Sequence, residues 1–276
     1  MRNLLLLFLA SVLVLGCNIV NPKEQIPTYL KIDSVAFTDG SHDITSAWVY
    51  YNNAPVGVFR LPATIPVLAD KAGTITVGPG ITYDGFQDQQ SLYPFYVFDT
   101  FAITPDPGHV ISHTPVSKYT AVTNFPWKEN FESGADFQAY DTSVSNNAIS
   151  LITDPGMVYE GYGAGYIHVV SGDSVSESVS SRSIDIPQGQ SFLEFDYKST
   201  NSFIIGLAAY YGSGTPVLNY QIGLRTRNNW TKCYLGLEPV VSQYPGAVFY
   251  VIVKSTLDSG SHDGYVLLDN MKIVSY

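Results

Sequence analysis

The sequence predicts an all-β protein built as two successive β-sandwich domains. Three observations carry this. Aromatic and β-branched residues dominate, with 20 tyrosines and 14 phenylalanines among 276 residues. Clusters of Gly, Pro, Asn and Asp interrupt the apolar runs at short intervals, as turns do between strands. No usable window carries a helical period. The chain is also too long for one ordinary sandwich and ample for two.

The first element is a leader at residues 1–16. Arg2 supplies a positive end, and Leu4 to Leu15 is almost unbroken apolar sequence. That run is short of the ~20 residues that span a bilayer as a helix, so it reads as a signal peptide. It ends in Val14-Leu15-Gly16-Cys17, which resembles the lipobox of bacterial lipoproteins. The resemblance implies that Cys17 is acylated and becomes the first mature residue, tying the protein to a membrane by its lipid. Each buried methylene contributes ~0.8 kcal/mol, so several acyl chains make a lasting anchor. Asn18 stands where the enteric sorting rule places Asp for inner-membrane retention, which implies the outer membrane. Residues 17–27, ending in Pro27, read as a lipidated tether.

Residues 28–122 read as the first sandwich. Tyr29 to Phe37 is a strand. Ala47, Val49 and Tyr51 alternate with Trp48 and Tyr50 in the next. Asn52-Asn53 makes a hairpin turn, since Asn tolerates positive φ. Pro55–Arg60, Ile65–Leu68, Gly73–Val77 and Phe95–Thr104 read as further strands. The run from Trp48 to Phe59, then Pro62-Ala63-Thr64 and Gly73 to Val77, resembles PEGA-type surface domains. This implies a small Ig-like sandwich of adhesive or structural type. Residues 105–126, with four prolines, read as closing strands followed by a linker.

Residues 123–276 read as the second sandwich. It opens Trp127-Lys128-Glu129-Asn130-Phe131-Glu132-Ser133-Gly134 and closes Gly264-Tyr265-Val266-Leu267-Leu268-Asp269-Asn270-Met271-Lys272-Ile273-Val274. Both ends, with the Gly-rich turn at Glu160–Tyr166, resemble jelly rolls of the carbohydrate-binding-module type. The resemblance implies a binding module. It also implies a structural Ca²⁺ between the first loop and the last strand, at Glu132 and Asp269, where hard oxygen donors would gather. Leu193, Phe195 and Tyr197 alternate with Glu194, Asp196 and Lys198, which predicts one dry and one solvent-facing side. Phe203–Tyr210 and Ala247–Val253 are apolar at every position, as central strands covered on both sides would be.

Composition excludes some functions. Lys and Arg total 14 against 24 acidic residues; loss of Arg2 with the leader takes the net charge near −11. Nucleic-acid phosphates need a basic surface, so nucleic acid is excluded as a partner. With Cys17 lipidated, Cys233 cannot form an intramolecular disulfide and is expected to be buried. Glu194-Phe195-Asp196-Tyr197-Lys198 is similar to the catalytic strand of laminarinase-type glycosidases. The family's acid/base carboxylate is replaced by Lys198, or by Ser199 if one extra residue is allowed, and retaining hydrolysis needs a carboxyl pair. The five histidines form no recognisable metal motif; His109 and His113 would lie ~13 Å apart on one strand. Gly-Ser-His-Asp occurs at 40–43 and again at 260–263, in turn-like surroundings both times.

The sequence therefore reads as a non-enzymatic, lipid-anchored surface protein that binds or adheres, with a polysaccharide or an envelope protein as partner. Tyr162, Trp127 and Trp230 are the candidate sugar-stacking residues. The alternatives are an assembly subunit of an outer-membrane complex and, behind it, a polysaccharide-degrading enzyme.

Overall fold

The computed structural model describes residues 24–85 and 89–276; the leader and Cys17 lie outside the described residues. The first unit holds β1 (Thr28–Ile32), β2 (Ala36–Phe37), β3 (Ile44–Tyr51), β4 (Ala54–Arg60), β5 (Ala63–Val67), β6 (Gly73–Thr82), β7 (Gln90–Leu92), β8 (Asp99–Ile103), β9 (Val110–Ser112) and β10 (Val116–Ser117). The second holds β11 (Asn124–Glu129), β12 (Phe137–Ala139), β13 (Ser150–Ile152), β14 (Ala164–Val170), β15 (Val175–Ser180), β16 (Ser191–Ser199), β17 (Phe203–Tyr210), β18 (Val217–Leu224), β19 (Arg227–Gly236), β20 (Val248–Thr256) and β21 (Asp263–Ser275). One short helix, α1 (Glu238–Gln243), follows β19. The protein is all-β, as its sequence patterning requires.

In the first unit, β4, β3, β6 and β7 form one sheet, with β8 on β6, and β5, β1 and β9 form another. Between them Leu30, Ile32, Ala47, Val49, Ile65 and Ile75 make a closed core. The alternation in β3 puts Ala47 and Val49 inward. Asn52 and Asn53 adopt φ of 48° and 67°, which closes the β3–β4 hairpin with positive φ at both central residues. The expected strand Tyr29–Phe37 is broken into β1 and β2, whose neighbours belong to different sheets. The expected strand from Phe95 survives only as β8, because Phe95 and Tyr96 turn away into a second cluster.

The second unit is a jelly-roll β-sandwich. One sheet runs β13-β14-β21-β16-β19, with β11 also on β21; the other runs β12-β15-β20-β17-β18. Alternate residues of facing strands fill the interior: Leu193, Phe195 and Tyr197 from β16 meet Ile205 and Leu207 from β17 and Phe249, Val251 and Val253 from β20. First and last strands pair antiparallel, Trp127 opposite Ile273 and Glu129 opposite Met271.

The two units meet face to face. Tyr93, Phe95, Tyr96 and Tyr119 of the first pack on Phe192, Tyr234 and Val274 of the second in one buried cluster. Tyr93 lies 4.5 Å from Tyr96, 5.0 Å from Phe192 and 5.1 Å from Tyr234 between ring centroids, all edge to face. This contact overturns the solvent-facing side expected for β16. Glu194 and Asp196 are 0% and 2% exposed, because the first unit sits on that side.

Candidate functional site

Glu194 is enclosed by donors. Tyr93 Oη donates to Oε1 at 2.6 Å, and Tyr119 Oη reaches Oε1 and Oε2 at 3.0 and 2.8 Å. Lys232 and Lys272 stand 3.4 and 3.7 Å from Oε2. A carboxylate so placed is satisfied and dry, the condition for a stable buried charge. It is a bolt between units and offers no surface to a substrate. Cys233, next to Lys232, is buried, and burial pushes its thiol up to about 12, which leaves it inert.

The candidate sugar-stacking residues separate. Trp127 is 4% exposed and packs edge-on against Phe137, 6.0 Å away, in the second core; neither ring face is open, so it leaves the set of ligand residues. Tyr162 is 63% exposed on the Gly-rich loop. Trp230, on β19, is half-buried with its ring 5.4 Å from that of Tyr159.

Glu132 and Asp269 do approach one loop, but as acceptors. Both carboxylate oxygens of Glu132 take the Tyr162 N–H, at 3.0 and 2.9 Å. Asp269 takes the Asn270 N–H at 2.7 Å and the Glu160 N–H at 3.4 Å. Burial raises the Asp269 carboxyl to about 7 against these N–H groups. Calcium wants six to eight oxygen donors. Carboxylates turned toward N–H donors do not fit it. Among the described residues no group of three or more His, Cys, Asp or Glu stands ready for a metal ion.

A concavity of about 550 Å³ lies on the outer face of the β12-β15-β20-β17-β18 sheet. Its origin is in the strands. With Phe203, Ile205, Leu207 and Ala209 turned inward, β17 presents Ile204, Gly206, Ala208 and Tyr210 outward. The register sets Tyr250 beside Ala208 and Ile252 beside Gly206. Ala208 makes a small-residue floor, and half-buried Tyr140, Tyr210 and Tyr250 stand around it. Gln138, Ser181 and Thr215 add polar groups at the rim. Among the described residues no hydrogen bond occupies the three tyrosine hydroxyls. Further along the face Tyr220 Oη donates to Glu177, which Lys254 also reaches at 3.3 Å. Burial, then that hydrogen bond, raises the Tyr220 phenol.

Sequence reading missed this trough. Its signal was present in the run Ile204-x-Gly206-x-Ala208-x-Tyr210, small residues at alternate positions ending in a tyrosine. Uniform apolarity concealed it, and the outer face was read as covered by another layer.

No family model matches the chain, and no curated protein matches it either. Solved structures do. The K3 cleaved adhesin domain of Lys-gingipain from Porphyromonas gingivalis is 15% identical, with 56% of this chain and 99% of that one covered and a TM-score of 0.40. A structure of carbohydrate-binding modules from the β-sandwich superfamily, described for promiscuous specificity, is 12% identical, covering 91% and 99%, TM-score 0.36. The family 30 carbohydrate-binding module of a cellulosomal cellulase of Clostridium thermocellum is 14% identical, covering 55% and 96%, TM-score 0.34.

Proposed function

We propose that the chain is a non-enzymatic binding protein, lipid-anchored through Cys17 at the outer membrane, that takes a glycan along the tyrosine trough. One observation carries the reading: three half-buried tyrosines with unengaged hydroxyls ring a small-residue floor on an open sheet face. A sugar ring has an apolar C–H face and a polar hydroxyl rim. Aromatic faces take the first, while Gln138, Ser181 and the tyrosine hydroxyls take the second. Among the described residues no charged side chain lines the trough, which suits a ligand bound by stacking and neutral hydrogen bonds. The enclosure of Glu194 further favours binding over hydrolysis.

The test is affinity electrophoresis against a panel of soluble polysaccharides, with Tyr210→Ala and Tyr250→Ala variants. Covering roughly 50 Å² of apolar sugar surface is worth about 1.3 kcal/mol, so each truncation should weaken binding about tenfold. A panel with no retarded polysaccharide, or binding indifferent to both truncations, ends this reading. Acyl groups on the mature Cys17, found by mass spectrometry, test the anchor separately.

A further inference from the structure

The first Gly-Ser-His-Asp segment, residues 40–43, enters the junction between the units. Ser41 Oγ donates to Asp196 Oδ2 at 2.7 Å and accepts from Lys232 Nζ at 2.9 Å. The Asp43 N–H donates to Tyr234 Oη at 2.9 Å. These bonds leave His42 and Asp43 on the wall of a cavity of about 230 Å³, opposite Tyr159 and Trp230, with Asp196 and Lys232 at its inner end. It shares no residue with the trough. The loop before β3 supplies one wall and the second unit the other, so the cavity exists only while the units are apposed.

Its groups divide into engaged and free. The Lys232 ammonium is bound to Ser41 and lies 3.4 and 3.6 Å from Glu194 and Asp196, with its side chain 2% exposed. Asp196 is held by Ser41 and Lys232. By contrast, the Asp43 carboxylate, the Tyr159 hydroxyl and the Trp230 indole N–H have no hydrogen bond among the described residues. Nearby formal charge is negative. Asp43, Asp196, Glu194, Glu160 and Asp269 gather near Lys232 and Lys272, with Arg60 and Arg227 on the other side of Asp43, and the charges that raise the Tyr159 phenol are the carboxylates of Asp196, Glu160, Asp269 and Asp43. Burial lowers the His42 imidazole against the opposing pull of Asp43, with Lys232 adding to the lowering, while burial raises the Asp43 carboxyl.

We propose that this cavity is a second binding site, selective for a primary ammonium group of an amino sugar or a lysyl side chain. Asp43 supplies the counter-charge, Tyr159 an additional acceptor, and the Tyr159–Trp230 corner an electron-rich wall. An ammonium entering here meets the exposed Asp43 carboxylate, which no protein donor satisfies among the described residues. A neutral amide of the same shape forfeits that interaction.

The experiment is a fluorescence titration of the full chain, since Trp230 is the tryptophan on this wall. The probes are glucosamine hydrochloride, N-acetylglucosamine and Nα-acetyl-lysine amide, at matched ionic strength. Saturable change with glucosamine but not N-acetylglucosamine is expected. Asp43→Asn should weaken it about tenfold or more, the worth of a charge-assisted hydrogen bond. Tyr250→Ala should leave it unchanged, so that failure of the trough and failure of this site are distinguishable. Binding of both amines supports recognition of the ammonium whatever carries it; binding of one alone supports the site and names its source. The proposal is overturned by equal response to N-acetylglucosamine, by an unaffected Asp43→Asn variant, or by no saturable change with either amine.

Discussion

Two residues show how a side chain's role depends on what lies far away in sequence. Glu194 sits on a strand whose polar positions look solvated, yet its partners Tyr93 and Tyr119 come from 101 and 75 residues earlier. No local pattern announces that. Glu194→Gln keeps the shape but removes the charge balancing Lys232 and Lys272. Breaking a buried ion pair on one side costs about 3–5 kcal/mol, so denaturant unfolding should show a loss of that order. A variant as stable as the parent would mean that the lysines do not depend on this carboxylate. Trp127 carries the opposite lesson. A tryptophan near a domain start was read as a ligand platform, but its position opposite Ile273 in the β11–β21 pair turns it into the core. The asparagine pair at the β3–β4 hairpin was fully legible, because positive φ is a local demand and Asn meets it locally.

At the scale of elements, periodicity read well wherever one face met the core and failed where a second body covered the other. The inward Ala47 and Val49 of β3 follow the alternation that its sequence announces. In β16 every residue from Ser191 to Tyr197 is buried, and the dry half of that polar row follows from docking, which a strand pattern cannot encode. The Gly-rich loop after β13 is a further case. It was legible as a turn, and its glutamate and aspartate neighbours were read as cation ligands. They are instead the acceptors that hold the loop. Gly161 has φ of +71°, and a Cβ there would enter the Glu132 carboxylate. Gly161→Ala therefore adds left-handed strain and displaces Glu132 from the Tyr162 N–H. Together these should destabilise by about 2–4 kcal/mol. Thermal unfolding with the loop's hydrogen exchange checks this; unchanged protection at Tyr162 would show that the clamp is not what orders the loop.

At the scale of the molecule, the aromatic junction makes alkaline pH a probe of how the units are joined. Burial holds the phenols of Tyr93, Tyr96, Tyr119 and Tyr234 above their ordinary value; the Glu194 charge adds to each, and for Tyr96 that of Tyr234 adds more. A raised folded-state pKa means that the folded form keeps a proton the unfolded form has lost. The stabilisation is thus complete below the unfolded value near 10 and disappears as pH rises beyond it. Four such groups give a slope of roughly 5 kcal/mol per pH unit above 10, steep against a total stability of about 5–15 kcal/mol. Tyrosinate absorbance should rise in two stages. Phenols open to water ionise first and reversibly. The junction four then appear together in one cooperative step, as the units part. If all phenols titrate smoothly near 10 while the fold persists, the cluster is not closed to water, and the two units are not held by it.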